Sequence, residues 1–95
     1  MGFTMKQAWK SFLSLCLKMH NTDELAKLFE CFLTIEERES IADRYTIVKA
    51  LLENKLTQRD IAEIHHVSIA KITRGSNQLK SMDAKLVSFL EKNTE

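Results

Sequence analysis

The sequence predicts an all-α protein of six helices, and three observations carry that prediction. Proline is absent and only two glycines occur, Gly2 and Gly75, so little in the chain ends a helix. Apolar residues recur at spacings of three and four, the period of a helix face. Hydroxyl, Asn and Asp residues stand where those runs begin, as caps do. The 95 residues suit one small domain, 1–95, whose narrow stability margin an oligomer would widen. Hydrophobic residues at 44% and charged residues at 28% are ordinary for a globular chain.

Met5, Trp9, Phe12, Leu13 and Cys16 form the apolar stripe of the first helix, with Lys6, Lys10 and Lys18 left to solvent. Asn21-Thr22-Asp23 breaks that pattern and caps the second. Leu25, Leu28, Phe29, Phe32 and Leu33 then crowd a short segment. So much apolar surface needs either an intramolecular core or another subunit. Thr34-Ile35-Glu36-Glu37 is a capping box, and its acids suit the positive end of the helix dipole. The third helix runs to about Glu53, with apolar positions Ile41, Tyr45, Val48, Leu51 and Leu52. Asn54-Lys55 connects it to the next. Thr57 caps a fourth helix with Asp60 in its first turn and Ile61 and Ile64 facing inward. His65-His66 is a turn. Ser68 caps the fifth helix, which starts at Ile69 and buries Ile72 and Leu79. Ser81-Met82-Asp83 separates it from a last helix holding Leu86, Val87, Phe89 and Leu90.

The net charge is only +1, so total charge does not advertise nucleic acid. Its distribution does: Ile64 to Met82 contains no acid, while Lys71, Arg74 and Lys80 are basic. Cys16 and Cys31 lack metal-ligand spacing and read as reduced, buried thiols. His65 and His66 are neighbours that do not share a helix face, so they read as turn residues rather than metal ligands. No spacing points to a nucleophile–base pair, and neither an enzyme nor a metal site is expected. No apolar run approaches a membrane span. Lys6 stands where a myristoylation signal needs Ser or Thr, and a cytoplasmic location is expected.

Residues 57–80 have the layout of a helix-turn-helix, whose second helix enters the DNA major groove by its N-terminal end. Ala62 is small where the two helices cross, and Ile61, Val67 and Ile72 are spaced to bury the unit. Ser68 offers a hydroxyl beside free backbone N–H groups that suit phosphate. Ile69, Ala70 and Lys71, then Thr73 and Asn77, present mostly small and hydroxyl groups to base edges. Arg59 is long enough to reach a guanine edge or a phosphate. Gln58 and Lys80 complete the expected DNA-binding set. His66 stands where many such turns use Gly for a left-handed backbone, at a cost of roughly 1 kcal/mol. A plain helical hairpin with a hydroxyl-rich surface is the competing reading. Gly75, inside the fifth helix, costs about 1 kcal/mol relative to Ala, so something approaches the backbone there or the helix ends or bends.

The run ITRGSNQLK from Ile72, LTIEERE from Leu33 and TQR from Thr57, at their spacing, resemble the Trp repressor family. The resemblance covers about Leu25 to the C-terminus, and ITRGSN is its most specific part. It implies an intertwined all-helical homodimer from which two helix-turn-helix reading heads project. It also implies L-tryptophan as corepressor and operator DNA of tryptophan genes as target. Carried over to this chain, Arg44 and Arg74 would sandwich the indole, with Arg74 and Thr34 holding the carboxylate. The carbonyls of Cys31 and Leu33 would accept from the ammonium group. Gly75 would leave room for the ring, with Ile47 packed beside it. Read without the resemblance, Thr34 is a cap, and Arg44 can pair with Glu37, Glu39 or Asp43. Three positions depart from the family's pattern. Gln78 stands where the family usually has a Ser that helps bind the amino group. Ala62 replaces a basic residue, and Lys71 replaces Thr. Two alternatives stand beside this reading: a regulator of the same fold answering to another ligand or none, and a helical module that only dimerises with protein.

Overall fold

The computed structural model describes Gly2 and residues 4–94; Met1 and Phe3, within the N-terminal run read above, and Glu95 lie outside it. Six helices and no strand occur among the described residues. They are α1 (Met5–Cys16), α2 (Thr22–Phe32), α3 (Ile35–Glu53), α4 (Gln58–His65), α5 (Ile69–Ser81) and α6 (Ala84–Asn93). The chain divides into two compact units, Met1–Glu37 and Arg38–Glu95.

The first unit holds α1, α2 and the opening of α3. Thr4 caps α1 in a box with Gln7, whose side chain accepts from the Thr4 N–H at 2.9 Å. Asn21 caps α2 by accepting from the Glu24 N–H at 2.9 Å. Thr34 and Glu37 form the expected reciprocal box at the head of α3, with bonds of 2.8 and 3.1 Å. Phe12 is the hub of the unit. Its ring stacks on Trp9 and Phe29 with centroids at 5.7 and 6.1 Å, and meets Phe32 edge-on at 5.2 Å. No residue of α1 or α2 is buried, however, and Trp9 keeps 59% of its surface exposed. The thiols are free, but neither is buried. Cys16 is half-exposed, and Cys31 is exposed near the C-terminal end of α2.

The second unit contains the buried core: Ile47 and Ala50 from α3, Ile61 from α4, Val67 from the turn and Ile72 from α5. Burying each isoleucine stabilises the unit by roughly 1.5–3 kcal/mol. Leu51 and Ala62 pack against it. The buried side of α3 meets the stripe legible in the sequence only at Leu51. Ile41 and Tyr45 are exposed, and Ile47 and Ala50 lie on a different face. Ile64 is a second difference: expected inward, it is 57% exposed. The buried side of α4 lies between Ile61 and Ala62, and at roughly 100° per residue Ile64 falls about a third of a turn away. Leu79 is half-buried and Ile72 fully buried. Helix α6, capped by Asp83, buries no residue and leaves Leu86 and Phe89 exposed.

Candidate ligand pocket and DNA-reading face

Local capping shapes the helix-turn-helix. Thr57 and Asp60 make a reciprocal box at the head of α4, with bonds of 3.3 and 3.1 Å. Helix α4 ends at His66, which is left-handed at φ 55 and ψ 43, and its N–H donates to the Ala62 carbonyl. Val67 then turns into the core, and Ser68 caps α5 by accepting from the Lys71 N–H at 3.1 Å. Helices α4 and α5 pack directly on one another. The turn is therefore held from both sides, by a closing backbone bond and by a buried valine.

All nine residues expected to meet DNA, Gln58, Arg59, Ser68, Ile69, Ala70, Lys71, Thr73, Asn77 and Lys80, are exposed. They do not all share one face. On α5, Ala70, Thr73, Asn77 and Lys80 recur at helical spacing along one stripe. Lys71, Arg74 and Gln78 form a second stripe, about a third of a turn round the helix. The opposite side, Ile72 and Gly75, is buried.

That second stripe borders α3. Ser40, Asp43, Arg44, Ile47, Lys71 and Arg74 line a hollow of about 120 Å³. This brings together three of the expected ligand residues, Arg44, Ile47 and Arg74. The Arg44 and Arg74 guanidinium groups have no partner among the described residues. Asp43, one of the acids open to Arg44 in the sequence, instead binds Lys71, with Oδ2 to Nζ at 3.1 Å. Spacing gives no sign of this pair, because its members lie 28 positions apart. A larger hollow, about 360 Å³ and lined by Tyr45, Lys49, Glu53 and His65 among others, contains none of the expected site residues.

Gly75 faces Ile47. A Cβ placed on it would lie 2.9 Å from Ile47 Cγ2, so only glycine lets α5 approach α3 this closely without displacing a buried side chain. In this structure Ile47 occupies the space beside Gly75. Gln78 is exposed and does not line the hollow; its carbonyl accepts from the Ser81 hydroxyl. Cys31, Leu33 and Thr34 belong to the first unit. There α2 ends at Phe32, which leaves its last carbonyls, that of Cys31 among them, without the usual donor four residues on. Thr34 Oγ1 accepts the Glu37 N–H, and its O–H remains free to donate. No cluster of three or more His, Cys, Asp or Glu suited to a metal occurs among the described residues.

Residues 7–94 match the family model described as Trp repressor protein. The chain belongs to the Trp repressor family. It is 52% identical over 87 residues to a Trp operon repressor homolog of Chlamydia trachomatis serovar D, covering 92% of this chain and 93% of that one. It is 50% identical over 86 residues to the Trp operon repressor homolog of Chlamydia caviae, covering 90% and 85%. A homolog of the same name from Histophilus somni strain 2336 is 36% identical over 85 residues, covering 90% and 80%. Members of the Trp repressor family are transcriptional regulators and not enzymes, and this chain is a regulator of that type. No helix among the described residues is long and apolar enough to cross a membrane.

Proposed function

We propose that this Trp repressor family member is a cytoplasmic, tryptophan-gated repressor that binds operator DNA of tryptophan genes as an intertwined homodimer. In that reading residues 1–95 act as one domain, closed by its partner. The observation that carries the reading is the double use of α5. Ala70, Thr73, Asn77 and Lys80 lie on one exposed stripe, while Arg74 lies on another and lines a hollow with Arg44. Ligand held by Arg74 therefore acts on the same rigid helix that reads DNA.

The residues present suit an aromatic amino acid. Two unpartnered guanidinium planes can stack on an indole, each contact favourable by roughly 0.5–2 kcal/mol, and Arg74 can also pair with a carboxylate. The Thr34 hydroxyl and the Cys31 and Leu33 carbonyls complete the proposed polar set, with Ile47 and Gly75 beside the ring. The hollow of about 120 Å³ is smaller than the roughly 300 Å³ at which small-molecule pockets begin, and in this reading ligand enlarges it by parting α3 from α5. The shift it imposes is limited to its better fit to the opened state. Dimerisation is supported by α1, α2 and α6, which bury nothing yet expose Trp9, Leu13, Phe32, Leu86 and Phe89. Helix-turn-helix docking, of which the Trp repressor is itself a standing example, sets two reading heads about 34 Å apart on DNA.

The test is selection of duplexes from a random library with tryptophan present, followed by gel shift across a tryptophan titration. Tryptophan is expected to tighten binding about 5–150-fold, the usual range of such coupling. Arg74→Ala should lower tryptophan affinity in calorimetry. Salt-dependent binding that ignores tryptophan would favour a regulator answering to another ligand or none. The longer amide of Gln78, where the family usually has Ser, is the feature that favours that reading; a thermal-shift panel of indoles and amino acids separates the two. A chain with no salt-dependent DNA binding would be a protein dimerisation module instead.

A further inference from the structure

The Asp43–Lys71 ion pair spans α3 and α5 beside the hollow that Arg44 and Arg74 line. Asp43 is the neighbour of Arg44 in sequence, and Lys71 lies one helical turn before Arg74 on the same stripe. The pair thus bridges the gap that a ligand between the two arginines has to widen. Lys71 is also the third residue of α5, and its N–H is the one that Ser68 caps. It therefore stands at the end of the helix where free backbone N–H groups draw phosphate. Its side chain is half-exposed, as is that of Asp43, so the pair sits within reach of solvent and of an approaching polyanion.

We propose that Asp43 is a positioning residue that latches Lys71 onto α3, withholding this cation from the DNA backbone until ligand parts the two helices. The latch rests on the tryptophan-gated reading above and adds to it a cost of DNA binding specific to the ligand-free state. While the pair is closed, the Asp43 carboxylate offsets the Lys71 charge and holds its ammonium against α3, which weakens its attraction to a phosphate oxygen. Filling the hollow lengthens the Asp43–Lys71 distance and shifts the balance toward phosphate. The electrostatic consequence is opposite in sign for the two residues. Lys71 strengthens DNA binding once released, and Asp43 weakens it only while the latch is closed.

A double-mutant cycle tests this, using Asp43→Asn, Lys71→Gln and the double variant on a duplex selected by the wild-type chain. Affinity is read by fluorescence anisotropy across a salt series, with and without saturating tryptophan. Without tryptophan, Asp43→Asn should tighten binding about two- to fivefold, the range of a half-exposed ion pair, and steepen the salt slope by up to about one phosphate contact. In the Lys71→Gln background the same substitution should change neither by more than the loss of a distant repulsive charge. With saturating tryptophan the Asp43→Asn gain should shrink toward unity. An equal gain in both backgrounds would show simple repulsion between Asp43 and DNA and would overturn the latch. So would a gain that tryptophan leaves untouched, or no gain. If the wild-type chain selects no duplex, the repressor reading fails and takes the latch with it; a selected duplex with an additive cycle removes the latch alone.

Discussion

The helix-turn-helix and the two N-terminal helices use similar apolar residues, yet they finish their packing differently. In the α3–α5 region Ile47, Ala50, Ile61, Val67 and Ile72 close a small buried core. In α1 and α2 a larger set of aromatic and aliphatic side chains gathers round Phe12, and none is buried. The first region has interleaving branched residues and a glycine that lets two helices meet; the second has rings arranged along an open apolar hollow lined by Met5, Ala8, Trp9, Phe12, Phe32 and Leu33. The reading head closes its core only together with α3, which supplies Ile47 and Ala50. An apolar layer that buries nothing needs a further surface, and in the dimer reading that surface is a second copy of the chain.

The largest effect is expected at Ile72, which is fully buried in a core with few members. Ile72→Ala should destabilise the reading head by about 2–5 kcal/mol. Circular dichroism should show a lower melting midpoint, while sedimentation at low temperature should show an unchanged oligomeric state. A variant that loses both would break the contrast, because the two regions would then depend on one another. Next comes Phe12→Ala, which removes the hub of the aromatic layer. An interface anchor of this kind contributes about 2 kcal/mol or more, equivalent to roughly 30-fold weaker self-association. Analytical ultracentrifugation reads it directly, and unaltered self-association would show that this layer is not the subunit interface. The smallest effect sharpens the comparison from the other side. His66→Gly relieves a left-handed backbone at some cost in chain entropy, leaving a gain of up to about 1 kcal/mol. The melting midpoint of the reading head should rise by a few degrees; a fall would mean that the His66 ring contributes a contact worth more than its strain.

What could be read in advance follows from range. The boxes at Thr34–Glu37 and Thr57–Asp60 and the Ser68 cap are made within three residues, so the pattern of hydroxyls and acids already contains them. The triplet Ile61, Val67 and Ile72 was legible for the same reason, since the turn geometry constrains which positions face inward. Helix α3 was not, because it carries two apolar faces. Of the expected positions Ile41, Tyr45, Val48, Leu51 and Leu52, only Leu51 packs on the core, and nothing in their spacing says that Ile47 and Ala50 are buried there. Ile64 failed through the brevity of α4: in eight residues, small shifts in the centre of the buried face decide what is covered. In the candidate site, Arg44, Ile47 and Arg74 were named from the family resemblance and do line one hollow, whereas Ser40 and Asp43 were missed. Carboxylates at helix surfaces are too common for Asp43 to stand out until its lysine is seen.

By itself, the sequence determined the six helices, the caps of α2 to α5, the left-handed strain at His66 and the oddity of Gly75. These depend on neighbouring residues, where backbone geometry and side-chain hydrogen bonds act over one turn. Only the tertiary structure decided which face of α3 is buried, that Ile47 is what approaches Gly75, and that Lys71 turns to Asp43. Those outcomes depend on how α3 and α5 pack, because side chains 28 positions apart meet only after the intervening helices have folded against one another.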